Sequence, residues 1–489
     1  MLIFLTLLVP LLGGAAMAFI RFPSGKARAI YVESVVCATS LMVLALLLSR
    51  GPETHVLYTL MEKLPLAFRL DGPSCVFAGL VAVLWPIASL YAFEYMKHEE
   101  RENSFMSWYT MTYAVTLAVA FSANLFTLYV FYECLTLITL PLVIHKKDAM
   151  SIRAGRKYLT YSITGAALAF IALVCLIHIS GTTDFVLGGV LTAEMTVGSE
   201  ALLLGVFLLA FVGFGTKAAV FPMHAWLPAA SVAPTPVTAL LHAVAVVNTG
   251  AFAVLRVIYY SFGADFLSGT WAQTAALLLA CVTIVFGSAM AVKEQHLKRR
   301  LAWSTISNLS YMLMGAALMS PEGMVGSLCH MVMHGVTKIT LFYCAGAILV
   351  KTGKEYIQDV RGYGKLMPVT CAAFLVAGLS LVGTPPLAGF TSKFNLLTAA
   401  ANAGGLGVIA IIALIVSAIL TAIYLFTVVG PMYFRPLNAD MAHLNDFNRD
   451  PSWMMLLPFG LLIAAVTGLG LWGGPLVTFL RDVAAGVTF

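Results

Sequence analysis

Apolar residues run through this chain in long blocks separated by short polar connections. Fourteen blocks are long enough to cross a hydrocarbon core of about 30 Å as helices, which takes roughly 20 residues each. They fall at 2–20, 29–49, 73–96, 104–122, 124–144, 158–180, 201–226, 235–260, 270–292, 301–319, 323–350, 367–400, 406–434 and 454–479. The pattern predicts an all-α polytopic membrane protein with about 14 transmembrane helices. The longest polar connections are 50–72, 181–200, 350–366 and 435–453, and none is large enough to fold alone. The first block has no basic residue ahead of it and no clear small-residue cleavage site, so it reads as a retained helix rather than a signal peptide.

Two blocks carry helix-breaking residues. The seventh contains Gly213, Gly215, Lys217 and Pro222; the twelfth contains Gly383, Pro385, Pro386, Gly389 and Lys393. Proline removes a backbone donor and clashes with the preceding turn. Within a bilayer such breaks survive only where protein or water satisfies the freed groups. The two broken spans are five apart, an odd number, so the second runs through the bilayer in the opposite sense. Spans 4–8 and 9–13 are therefore candidate inverted five-helix repeats, each broken at its fourth member, and paired interruptions of this kind point to a transport site. The expected organisation is helices 1–3 over residues 1–103, the first repeat over 104–260, the second over 261–434, and helix 14 within 435–489.

Composition agrees with this reading: of 489 residues, 60% are hydrophobic and 10% charged. Of the 28 Lys and Arg residues, the spans retain Lys217, Arg256, Lys338 and Lys393. Each costs about 2.5–3.5 kcal/mol at mid-bilayer on insertion scales, so retaining them implies a buried polar path for ions or protons. Loops after odd-numbered spans carry 20 basic residues; loops after even-numbered spans, with the C-terminus, carry Arg50, Lys63, Arg69 and Arg481. The positive-inside rule then puts both termini on the outer side of a bacterial or archaeal cytoplasmic (inner) membrane. The net charge of +6 is mostly this cytoplasmic loop excess, not a nucleic-acid surface.

The eight cysteines are scattered with no CxxC pair, which argues against a disulfide framework or an iron–sulfur cluster. No Gly-rich phosphate loop, nucleophile elbow or haem motif stands out. The expectation is a chain with no catalytic residue, no metal and no cofactor of its own.

Transport chemistry is better represented. Glu133 lies inside the fifth span, and a carboxylate there must be protonated or find a cation; Lys217 is available. Burial and a neighbouring carboxylate act in opposite senses on a lysine's hold on its proton, so a lysine whose partner can approach and retreat is a proton switch. The alternatives are a fixed ion pair, or a lysine that snorkels to the interface. His242, seven residues into the eighth span, is either a hydrogen-bonded core residue or a relay. His330, His334 and Lys338 recur at i, i+4 and i+8, so all three line one helix face. Two histidines at i, i+4 also suit a metal, but no carboxylate or third ligand is adjacent. Lys393, after the second break, is either a terminal proton donor or acceptor or a lysine that snorkels to the interface. Arg256, with Tyr259 and Tyr260 nearby, reads as an interfacial anchor, as do Glu33 and Glu94. His224 beside Pro222 is either relay or structural.

These residues bring a family pattern into view. The chain resembles the antiporter-like subunits of respiratory complex I, of membrane-bound hydrogenases and of Mrp-type cation/proton antiporters. The matching segments are Phe68-Arg-Leu-Asp-Gly72, Phe131-Tyr-Glu133, Lys217 to Pro228, Ala233 to His242, Leu297 to Ser307, His330 to Lys338, and Pro385 to Lys393. The resemblance implies that Glu133 and Lys217 form a half-channel pair, that His242 is the connecting group, that His330, His334 and Lys338 continue the axis, and that Lys393 is the exit group. There are departures. Some members carry a second lysine in the eighth span, where this chain offers Asn248; some carry an acid in the sixth, where this chain has none. The long lateral helix of the largest complex I member is missing, so the chain is similar to the compact members.

The resemblance further implies a proton-translocating subunit of a redox-driven complex. Its partners would be other membrane subunits, including homologous antiporter-like ones, and the lipid bilayer. Two alternatives stand beside it: a subunit of an Mrp-type Na⁺/H⁺ antiporter, and a membrane scaffold that translocates nothing.

Overall fold

The computed structural model describes residues 1–49, 51, 53–61, 64–437 and 450–487. Arg50 and Lys63, two of the cations used for orientation, lie outside the described residues, as does most of the connection 435–453.

The chain opens with α1 (Leu2–Ala16) and α2 (Gly25–Ser49), then an antiparallel hairpin, β1 (His55–Thr59) and β2 (Pro65–Phe68), with His55 opposite Phe68. This hairpin departs from the all-α expectation. Next come α3 (Gly72–Met96), α4 (Glu102–Ala120), α5 (Leu125–Val143) and α6 (Ala149–Ser180). Their starts follow the capping rule that a side-chain oxygen takes an orphan backbone N–H. Asp71 accepts from Ser74 N at 3.1 Å, Asn124 from Thr127 N at 2.7 Å and Asp148 from Ser151 N at 2.6 Å. After the turn α7 (Ala193–Thr196), the first interrupted span is α8 (Glu200–Gly215) and α9 (Trp226–Ala230). Then follow α10 (Thr235–Ala243) and α11 (Val246–Arg256), the latter extended by a π-helical turn over Val257–Phe262.

The second half comprises α12 (Ala264–Leu267), α13 (Trp271–Lys293), α14 (Leu297–Ala317), α15 (Pro321–Thr352) and α16 (Tyr363–Leu366). It continues with α17 (Pro368–Val382) and α18 (Ala388–Asn402), the second interrupted span, then α19 (Gly404–Phe434), α20 (Trp453–Leu471) and α21 (Gly474–Ala484).

Nine helical stretches among the described residues are long and apolar enough to cross a membrane: α2, α3, α5, α6, α10 through the π turn, α13, α15, α19 and α20. α1, α8 and α17 are shorter apolar helices. Outer helices present large apolar side chains outward, such as Ile163, Phe170 and Val174 on α6 and Ile412, Ile415 and Ile419 on α19. At the centre, α10, α11 and the π turn are buried on all sides, and α15 nearly so. Polar residues therefore concentrate inside and apolar ones outside, as a lipid solvent demands. Close helix approach rests on small residues: a Cβ on Gly213 of α8 would meet Ala169 N of α6 at 2.6 Å.

Several boundaries differ from the sequence pattern, two helix starts among them. α6 begins at Ala149, before the expected 158, and α14 begins at Leu297, before the expected 301. Charged residues disguised both starts. α14 thereby takes Lys298 and Arg300 into its first turn, where both are buried, so buried cations outnumber the four read from the spans.

Candidate functional site

At the first break, side chains take up the backbone groups that the missing helical turns leave over. Tyr132 donates its hydroxyl to Phe214 O at 2.9 Å, Trp226 donates Nε1 to Thr216 O at 2.8 Å, and Phe221 N donates to Thr283 Oγ1 at 3.0 Å. Pro222 lies in this non-helical stretch, at a cis Phe221–Pro222 bond. His224 beside it is caged by rings, 5.1 Å from Phe286 and 5.5 Å from Phe221. Lys217 is fully buried. Its ammonium donates to the carbonyl of Tyr132 and sits 3.5 Å from the centroid of that ring, a cation–π arrangement. Glu133, the next residue, is half-buried; its Oε1 has no hydrogen-bond partner. The charges of Glu133 and Lys217 attract each other, but the described contacts of Lys217 are with Tyr132, not with a closed ion pair to Glu133.

The second break repeats the theme with a different donor. α17 ends at Val382, and Gly383 at φ 98° turns the chain where a side chain would be strained. Lys393, on α18, donates Nζ to Leu381 O at 2.8 Å and Val382 O at 3.0 Å. A cation on the last carbonyls of a helix is favoured by the helix dipole. Pro385 and Pro386 lie in the gap, joined by a cis bond. Unlike Lys217, Lys393 keeps partial exposure.

Between the breaks, α15 carries His330, His334 and Lys338 inward, all buried. The His330 and His334 rings are 5.7 Å apart and nearly parallel, at 21°. His330 Nδ1 is 3.0 Å from Ser392 Oγ on α18, and Lys338 donates to Leu301 O at 3.0 Å and to Ser304 on α14. His334 has no hydrogen-bond partner on either nitrogen, yet it lies within electrostatic reach of His330, Lys338, His242 and Lys393. His242 on α10 is buried with both nitrogens unpartnered, 4.9 Å from the Phe342 ring. A cavity of about 10 Å³ is lined by Asn308, His330, His334, Ser392 and Lys393. A single water needs about 10–15 Å³ and two to four polar partners, so this space suits one.

The structure thus gathers His242, His330, His334, Lys338 and Lys393 into one cluster, and Glu133 with Lys217 into another. No cluster of three or more His, Cys, Asp or Glu side chains arranged for a metal occurs among the described residues.

Several participants escaped the sequence reading. The eighth span is also interrupted: Val244 leaves helical geometry at φ −134°, and Asn248 donates its amide to Ala243 O at 2.9 Å. No Pro or Gly marks this break; the signal is a short amide side chain that competes with helix bonding. On the same stretch, Gly250 packs on the first break so closely that a Cβ would lie 2.3 Å from Ala218 N. α14 presents a polar seam of Ser304, Ser307, Asn308 and Tyr311, and Ser307, Tyr311 and Ser288 converge on Ser417 at 2.6–3.0 Å. Its i, i+3, i+4, i+7 spacing was visible. Arg256 is not an interfacial anchor: it is fully buried and paired with Asp71. Glu33 likewise turns inward to accept from Ser89 and Cys37, whereas Glu94 pairs with Lys97 at 2.6 Å near the helix end.

A family profile described as NADH:quinone oxidoreductase/Mrp antiporter, TM, matches residues 122–421. NADH-quinone oxidoreductase subunit N of Desulforudis audaxviator is 31% identical over 412 residues, covering 82% of this chain and 80% of its own. NADH-quinone oxidoreductase subunit L of Mycobacterium tuberculosis is 30% identical over 504 residues, covering 97% of this chain and 76% of its own. In fold, the chain is similar to a subunit in the structure of respiratory complex I from Thermus thermophilus with bound NADH, with a TM-score of 0.82, 23% identity, and coverage of 99% and 98%.

Proposed function

The chain belongs to the NADH:quinone oxidoreductase/Mrp antiporter membrane family, and from that premise we propose that it translocates protons as one antiporter-like subunit of a larger, redox-driven membrane complex. It would span the bilayer fourteen times, with both termini outside. Two inverted repeats, 104–260 and 261–434, would be flanked by helices 1–3 and 14. Protons enter through water near Glu133 and Lys217. They pass His242 and the row of Lys338, His334 and His330, and leave at Lys393. The driving energy comes from neighbouring subunits, homologous ones among them.

The observation that carries this reading is the state of the buried groups. Lys217 and Lys338 are fully buried, and each donates to neutral oxygens rather than to a closed carboxylate. Holding an unpaired ammonium away from water costs several kcal/mol. His242 and His334, with no hydrogen-bond partner on any ring nitrogen, face a smaller penalty of the same kind, about 1–3 kcal/mol for each unsatisfied group. A static scaffold gains nothing from groups kept this way. A relay needs them, because a nitrogen already committed to a strong partner cannot pass a proton on.

The test is Lys217→Ala in the assembled complex, with proton uptake into vesicles measured against turnover of the driving reaction. Coupled pumping is expected to be lost. An assembled Lys217→Ala complex that pumps at the normal ratio overturns the assignment, and uptake that requires sodium replaces it with cation exchange.

A further inference from the structure

Away from the polar axis, a wide apolar groove of about 480 Å³ opens between α2, α3, α15, α20 and α21. Leu47, Val76, Val83, Val336 and Leu469 form its walls, and Val83 stands 53% exposed within it. Along α3 it runs from Cys75 to Ile87, which at 1.5 Å per residue is about 18 Å. One leaflet of a roughly 30 Å core is about 15 Å deep, so the groove is one leaflet long.

The groove ends at Leu70, where a second cavity of about 230 Å³ begins, and Leu70 lines both. The amphipathic α21 bridges them, with Phe479 in the first and Val483 in the second. The second cavity is more polar than the groove, because Arg69 and Asp71 line it. Arg69 lines it with 23% of its side chain exposed, and its Nη2 donates to Phe185 O at 2.9 Å and lies 3.6 Å from Asp71 Oδ2. Asp71 is already paired with the buried Arg256, whose Nε and Nη1 have no partner. Two guanidinium groups, Arg69 and Arg256, thus share the one carboxylate of Asp71, which leaves Arg69 the weaker-held cation of the two.

We propose that one phospholipid with an anionic headgroup binds here, with an acyl chain in the groove and its phosphate at Arg69. The occupant has to be apolar over one leaflet and anionic at one end.

The experiment uses the assembled complex in phosphatidylcholine vesicles. These contain traces of phosphatidylglycerol or phosphatidylcholine carrying a mid-chain diazirine, and labelled peptides are mapped after illumination. The phosphatidylglycerol probe should label the α3 and α20 groove peptides about five-fold more than the phosphatidylcholine probe, the worth of one arginine near an anionic surface. Arg69→Gln should equalise the two probes and Arg69→Lys should restore the difference. Val83→Trp, at an exposed position that leaves helix packing intact, should abolish groove labelling. Equal labelling by both probes in the wild type, labelling no stronger than on the outward face of α19, or full labelling of Val83→Trp each overturns the proposal.

Discussion

Arg256 and Asp71, 185 positions apart in sequence, close an ion pair at one end of the helix bundle. The guanidinium is fully buried, stacked 4.7 Å from the Tyr260 ring and 2.9 Å from Ser74 Oγ, while the carboxylate also caps α3. Burial alone would raise the Asp71 carboxyl's pKa; the charge of Arg256 and its hydrogen bond outweigh that and hold it below the usual carboxylate range. Asp71→Asn should therefore leave Arg256 buried without a counter-charge. Breaking such a pair from one side costs about 3–5 kcal/mol. Removing both partners, in Asp71→Asn with Arg256→Met, should cost much less. Thermal unfolding of the purified complex checks this, and a double variant as damaged as the single would remove the pair from the explanation. The pair's contribution is present above the ordinary aspartate value of about 3.9 and is lost only as pH falls through the lower folded value, so the wild-type advantage should be flat from pH 8 to 5.

Lys217 and Tyr132 give a prediction about charge as distinct from titration. A lysine can lose its proton; arginine in proteins stays charged. Lys217→Arg keeps the positive charge near the Tyr132 carbonyl and Glu133, yet should lower proton pumping by at least about ten-fold while leaving assembly intact. If Lys217 were a fixed structural cation, Lys217→Arg would pump normally, and proton-uptake traces from vesicles distinguish the two outcomes.

Much of this arrangement was legible in the sequence where a residue conflicts with its surroundings. A lysine beside glycine and proline in an apolar run, as at Lys217 and Lys393, contradicts lipid and so announces itself. The one-face row of His330, His334 and Lys338 is fixed by helical period alone. What was hidden depended on tertiary context. The break at Val244 carries no breaker residue and is stabilised by Asn248, which on paper is one more tolerated polar residue. Arg256 looked interfacial because its partner Asp71 sits at the start of another helix, and no local pattern joins them. Lys298 and Arg300 looked like loop charges because their partners, Ala233 O at 3.4 Å and Tyr424 O at 2.8 Å, come from distant segments. The hairpin went unseen because its strands, five and four residues long, fall within a connection read as polar.

The cavity bounded by Asn308, His330 and Lys393 holds room for one water, about 10 Å³. Asn308 donates to Ser304 O at 2.7 Å and leaves its Oδ1 without a partner. Asn308→Leu keeps the volume and removes the polar lining that a water needs. The relay between His330 and Lys393 should then be interrupted, so protons moved per turnover should fall while the complex assembles at its usual level. An unchanged ratio would mean that no water in this cavity carries the proton. Asn308→Asp, which keeps an acceptor in place, should fall less.

Glu355, in the connection after α15, ties that loop to the start of α14. It lies 3.3 Å from His296 Nε2 and 3.8 Å from Lys298 Nζ. The His296 hydrogen bond is the main cause of a carboxyl pushed down to about 2; burial opposes it and Lys298 adds to it. Because the folded value lies below the unfolded one of about 4.3, the group stabilises the fold above pH 4.3, and that contribution fades as pH falls towards 2. Solvent screens the site, so about 1 kcal/mol is the expected size at neutral pH. Glu355→Gln should therefore lower the midpoint of thermal unfolding by about 1 °C between pH 6 and 8, with the wild-type and variant curves converging as pH is taken from 5 to 3. Curves that stay parallel down to pH 3 would show that the carboxylate's charge does not fasten this loop.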